Sequence, residues 1–117
     1  MKPIKIKMSV INWYHLKNFF IEMIQEKYIG KNILPFEVMV CCEMIIKIDL
    51  EKGIDKEFMK VKINHSQGFI LFTYFSRFKN LEPGIEMILH EIMNQIEEQL
   101  FQKTELGFNM LKANGEL

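Results

Sequence analysis

The stretch EVMVCCEMIIKIDLE, running from Glu37 to Glu51, decides how the rest of the chain is read. Val38, Val40, Cys42, Met44, Ile46, Ile48 and Leu50 are apolar on one parity, and Glu37, Glu43, Lys47, Asp49 and Glu51 fall on the other. A period of two held over this length predicts a long β-strand with one buried face. Met39, Cys41 and Ile45 interrupt the charged parity, so the middle of the outer face is itself apolar and needs a cover.

Working outward, Ile4, Ile6, Met8 and Val10 alternate with Lys5, Lys7 and Ser9, which predicts a first strand with lysines suited to a sheet edge. Asn12 reads as the N-cap of a helix with Ile11 and Leu16 as its staple; Leu16, Phe20, Ile24 and Tyr28 recur at helical spacing up to Gly30. Beyond the long strand, Lys52 and Gly53 mark a turn, and Met59, Val61 and Ile63 alternate with Lys60, Lys62 and Asn64 as the return strand of a hairpin. Phe69 to Phe78 is rich in aromatic residues on both parities and reads as a third strand, greasy on both faces. Asn80, Glu82 and Pro83 open a final helix whose stripe is Ile85, Ile88, Leu89, Ile92, Ile96 and Leu100.

These elements give an α+β domain with an antiparallel meander sheet, in β-α-β-β-β-α order, and two helices packed on one face. Residues 1–104 form the single domain and residues 105–117 a tail, where Leu106, Phe108, Met110 and Leu111 could dock on a partner.

Fifteen basic and fifteen acidic residues leave no net charge, so self-repulsion contributes little to solubility and association is a reasonable expectation. Arg77 is the only arginine and Ala113 the only alanine, a usage that fits an AT-rich bacterial or phage genome. The shortage of arginine and the balanced charge count against a dedicated duplex-DNA binder. Met1 to Val10 lacks the apolar core of a secretory signal, and no stretch reaches the length of a membrane helix. The expected location is cytoplasmic, or in a virion if the chain is phage-encoded. Cys41 and Cys42 are adjacent and point to opposite faces of a strand, so two reduced thiols are expected, Cys42 inside and Cys41 outside. The Asn64-His65-Ser66 tripeptide matches a glycosylation acceptor, which without a signal peptide carries no weight.

No catalytic, cofactor or metal residue is assigned. His90-Glu91 begins the helical zinc-protease pattern, but Asn94 stands where the second histidine must be. Cys41 has no histidine near it in sequence, the glycines are scattered at turns, and Glu97 and Glu98 belong to an acidic helix face. The remaining constellation is the outer sheet face, expected to gather Met39, Cys41, Ile45, Phe58, Lys60 and Lys62. Such a patch can bury against a copy of the chain or another subunit, stack single-stranded bases, or be covered by the chain's own first strand or tail. With little positive charge to hold a phosphate backbone, protein contact ranks above nucleic acid.

By architecture alone, two helices over a meander sheet with a long hairpin resembles the small ring-forming connector subunits of tailed phages. The expectation is therefore a non-enzymatic subunit that self-associates or joins a larger assembly. A single-stranded nucleic-acid-binding module is the alternative, and a small enzyme comes third.

Overall fold

The computed structural model describes residues 2–28, 30, 35–51 and 57–101. In chain order the elements are β1 (Ile4–Ser9), α1 (Val10–Tyr28), α2 (Phe36–Leu50), β2 (Phe58–Ile63), α3 (His65–Phe75) and α4 (Pro83–Leu100). The α+β class stands. The four-stranded meander does not: the described residues hold four helices and one two-stranded antiparallel sheet. With the long hairpin gone, the likeness to phage connector subunits loses the feature it rested on. The turn at Lys52 and Gly53 and the tail at 105–117 lie outside the described residues.

The stretch from Glu37 to Glu51 is helical because its apolar residues serve a period of 3.6 as well as a period of two. Val38, Cys41, Met44 and Ile48 fall three or four apart and are buried, with Val40 beside them. Pro35 occupies the cap position, where its carbonyl accepts from the backbone N–H groups of Val38 and Met39, at 3.1 and 3.1 Å. The "interruptions" at Cys41 and Ile45 are part of this inward stripe, with Cys41 buried and Ile45 half-buried against the core.

The aromatic run is likewise a helix, α3, and its start is written in Asn64-His65-Ser66-Gln67. The Asn64 side chain accepts from the Gln67 backbone N–H at 2.7 Å, and the Gln67 side chain accepts from the Asn64 N–H at 2.9 Å. That reciprocal box satisfies two donors that a helix start leaves open. Gly68 lets this first turn approach β1, since a Cβ there would lie 2.5 Å from Ile4 Cδ1.

The first strand and first helix stand, though Ser9 rather than Asn12 caps α1: its Oγ accepts from the Asn12 N–H at 3.2 Å. Gly30 adopts the left-handed φ of 79° expected after a helix end. Pro83 begins α4, with Ile88, Leu89, Ile92 and Ile96 buried. Asn80 is not its cap; it takes a left-handed φ of 59° two residues ahead of Glu82.

β2 pairs with β1, not with the segment before it, in the register Ile4↔Ile63, Ile6↔Val61 and Met8↔Met59. These six side chains are buried on the helices, and the Trp13 indole N–H donates to the Met59 carbonyl at 3.0 Å. The free edge of β1 is closed by α4. Gln99 donates to Lys5 O and accepts from Lys5 N–H, and Gln95 does the same at Lys7, all at 2.7–2.8 Å. Four residues of helix rise about 6.0 Å and two of strand about 6.7 Å, so two glutamines one turn apart match a strand's hydrogen-bonding repeat.

Candidate functional site

The six residues expected to share one face are divided between two elements. Phe58, Lys60 and Lys62 do project together from the outer face of β2. Met39, Cys41 and Ile45 sit on α2, where Met39 is exposed, Ile45 half-buried and Cys41 buried. The sheet face as drawn from the sequence therefore does not form, and two separate surfaces replace it.

The first is the outward side of α2. Phe36, Met39, Ile46 and Leu50 are 68%, 47%, 58% and 79% exposed, which makes four of the eight large exposed hydrophobic residues described. Successive spacings of three, seven and four place them on one stripe. Glu43 fills the gap in it and accepts a hydrogen bond from the Gln67 side chain on α3.

The second is the outward side of the ribbon. Lys5 faces Lys62 and Lys7 faces Lys60 in the register, and all four are exposed. Because the Lys5 and Lys7 backbone groups point to the glutamines, these are non-hydrogen-bonded pairs, the kind in which side chains come closest. Lys7 Nζ lies 5.4 Å from the Phe58 ring centre, and among the described residues no ion pair involves any of the four. At the Lys62 end the face opens into a cleft of about 590 Å³ that Lys2 and Lys47 also line, with Lys47 Nζ donating to Lys62 O at 2.6 Å. From the sequence the first-strand lysines read as edge residues; only the pairing of β1 with β2 reveals them as half of a cluster.

The zero net charge thus conceals a separation. The two strands carry four lysines and no acid, whereas α4 carries Glu86, Glu91, Glu97 and Glu98 and no lysine or arginine.

The thiols are reversed relative to the strand reading: Cys41 is buried and Cys42 half-buried. Burial pushes the Cys41 thiol up to about 12, with Cys42 and Glu37 adding to the effect, so it stays protonated and unreactive at neutral pH. Tyr74 is also raised to about 12, chiefly by burial; its hydroxyl reaches Met23 Sδ at 3.3 Å. Glu37 is lowered by a backbone hydrogen bond at the start of α2 and by Arg77, whose guanidinium lies 3.2 Å away. Among the described residues no group of His, Cys, Asp and Glu is arranged to hold a metal ion, and His15, His65 and His90 lie on three different helices. No described helix is long and apolar enough to cross a membrane.

Comparison with protein-family models, with curated proteins and with solved structures gave no match.

Proposed function

We propose that the protein is a non-enzymatic subunit that assembles with a second copy of itself through the outward side of α2. The exposed stripe of Phe36, Met39, Ile46 and Leu50 carries this reading. Large apolar side chains along one side of a helix, on both flanks of a single acidic residue, are a pattern a helix presents to a partner helix. Measured from Glu43 the stripe extends to −7, −4, +3 and +7, so it is nearly its own mirror. An antiparallel two-fold pairing sets Phe36 against Leu50 of the copy and Met39 against Ile46 of the copy, the isologous arrangement of a symmetric dimer. Glu43 falls near the dyad, where its copy repels it, and the Gln67 hydrogen bond draws it aside toward α3.

Light scattering across a concentration series tests the reading. The parent should form a dimer, Ile46→Lys a monomer whose stability lies within about 0.5 kcal/mol of the parent's at dilutions where the parent is itself monomeric, and Glu43→Gln a tighter dimer. A parent that stays monomeric at its highest soluble concentration, or an Ile46→Lys variant that associates as the parent does, sinks the proposal. Ile45→Lys, the substitution the strand reading favours, is not a clean probe because Ile45 packs against the core.

A further inference from the structure

The α2 stripe leaves the lysine ribbon unexplained, and the ribbon is costly on its own terms. Like charges directly opposite on neighbouring strands destabilise a sheet. Here two consecutive rungs, Lys5 with Lys62 and Lys7 with Lys60, are both like-charged, with no acid in ion-pair contact among the described residues. Folding requires only that the inner positions be apolar. An anionic ligand on the outer face would turn the repulsion into binding energy.

We infer that the outer face of the β1–β2 ribbon is a binding site for single-stranded nucleic acid, with Lys5, Lys7, Lys60 and Lys62 on the phosphates and Phe58 as a stacking platform for a base. Each strand presents lysines about 6.7 Å apart along a ribbon about 20 Å long, an extended track of charge ending at an exposed aromatic ring. That pairing of a basic track with an aromatic is how single strands are held without sequence reading. Lys2 and Lys47 extend the positive wall at the Lys62 end.

Three features choose this ligand class over its neighbours. A duplex is read by a ribbon that enters the major groove, about 12 Å wide, and this ribbon cannot enter because helices back its inner face and α4 covers the β1 edge. An anionic membrane is bound by basic residues around an inserting apolar face, and here Phe58 is the only apolar residue of the strands directed outward. An acidic peptide adding as a third strand would need the outer edge of β2, where Lys47 already occupies the Lys62 carbonyl.

The test is fluorescence anisotropy of the full chain with a labelled oligothymidylate of about 12 nucleotides, within the length a small domain covers. Parallel arms use the corresponding duplex and phosphatidylserine vesicles. Single-strand binding should be tightest and should weaken roughly 50-fold between about 50 and 200 mM salt, the slope of about −3 that four neutralised phosphates give. Replacing one rung, Lys5→Gln with Lys62→Gln, should halve that slope. Phe58→Leu should weaken binding roughly 5-fold or more and leave the slope unchanged. Circular dichroism confirms that the variants fold. Absence of binding at about 20 mM salt, a slope untouched by the double substitution, or tighter binding to duplex or vesicles would each overturn the inference.

Discussion

The outward side of α2 and the outward side of the ribbon both carry residues that folding does not ask for, and they do so at different kinds of cost. On α2 four large apolar side chains face water; the cost is solubility, since an exposed side chain contributes little to the folding balance either way. On the ribbon four lysines face one another, and the cost falls on the folded state itself, because repulsion across a rung is relieved when the strands part. In the dissociated chain, substitution should therefore leave stability unchanged on the first surface and raise it on the second. Only the inner faces should show large losses.

The largest expected effect separates the two sides of α2. Ile48 is fully buried and Ile46 is 58% exposed, although the two are only two residues apart. On a strand they would share a face; on a helix they lie about 200° apart. Ile48→Ala should cost about 2–5 kcal/mol in denaturant melts of protein diluted to the monomer, whereas Ile46→Ala should cost less than about 0.5 kcal/mol there. Equal losses would break the helical assignment and the contrast with it.

The next effect uses the same helix and is read from pH. The Cys41 thiol is held up to about 12 from an ordinary 9.0 by burial. The folded state therefore favours its protonated form more than the unfolded chain does. The stabilisation is whole below about pH 9 and is lost as pH rises toward 12. Tyr74, raised from 10.0 to about 12, acts in the same direction over the upper part of that window. Stability should fall by roughly 1–2 kcal/mol near pH 10.5 relative to neutral pH, and by less in Cys41→Ala. In native protein a maleimide should label Cys42 first, with Cys41 joining only in denaturant. Rapid labelling of both would show that the inner side of α2 is open.

How much of this was legible in the sequence depends on the polar residues more than the apolar ones. α4 could be read because Glu86, His90, Asn94, Glu97 and Glu98 mark a wet side opposite Ile88, Leu89, Ile92 and Ile96; the angle between the two sets fixes the period. In α2 the outward side is itself apolar, so Val38 to Leu50 satisfies both periods and the longer alternation won. The aromatic content of α3 favoured a strand, and tertiary packing overrode that preference. Its capping box, Asn64 with Gln67, stands in the sequence as a helix-start signal just ahead of the aromatic run. Phe58, Lys60 and Lys62 were legible as a surface because period two is unambiguous there. Their partners Lys5 and Lys7 were not, since only the long-range pairing of β1 with β2 brings the lysines into register.

The smallest effect is the one that bears most directly on the ribbon, because its sign is unusual. Most substitutions destabilise, yet Lys62→Glu should stabilise. It places a carboxylate opposite Lys5 in a non-hydrogen-bonded pair, where side chains approach most closely. Lys2 and Lys47 line the same end of the face and add attraction, while the Lys47 hydrogen bond to the residue 62 carbonyl uses backbone and survives the change. A gain of about 0.2–1 kcal/mol is expected, in the range measured for cross-strand charge pairs. It should shrink in 1 M salt, where screening acts over about 3 Å. A neutral Lys62→Gln should recover part of the gain by removing repulsion alone. If both variants are less stable than the parent at low salt, the rungs are not in conflict in the folded chain, and the difference drawn between the ribbon and α2 disappears.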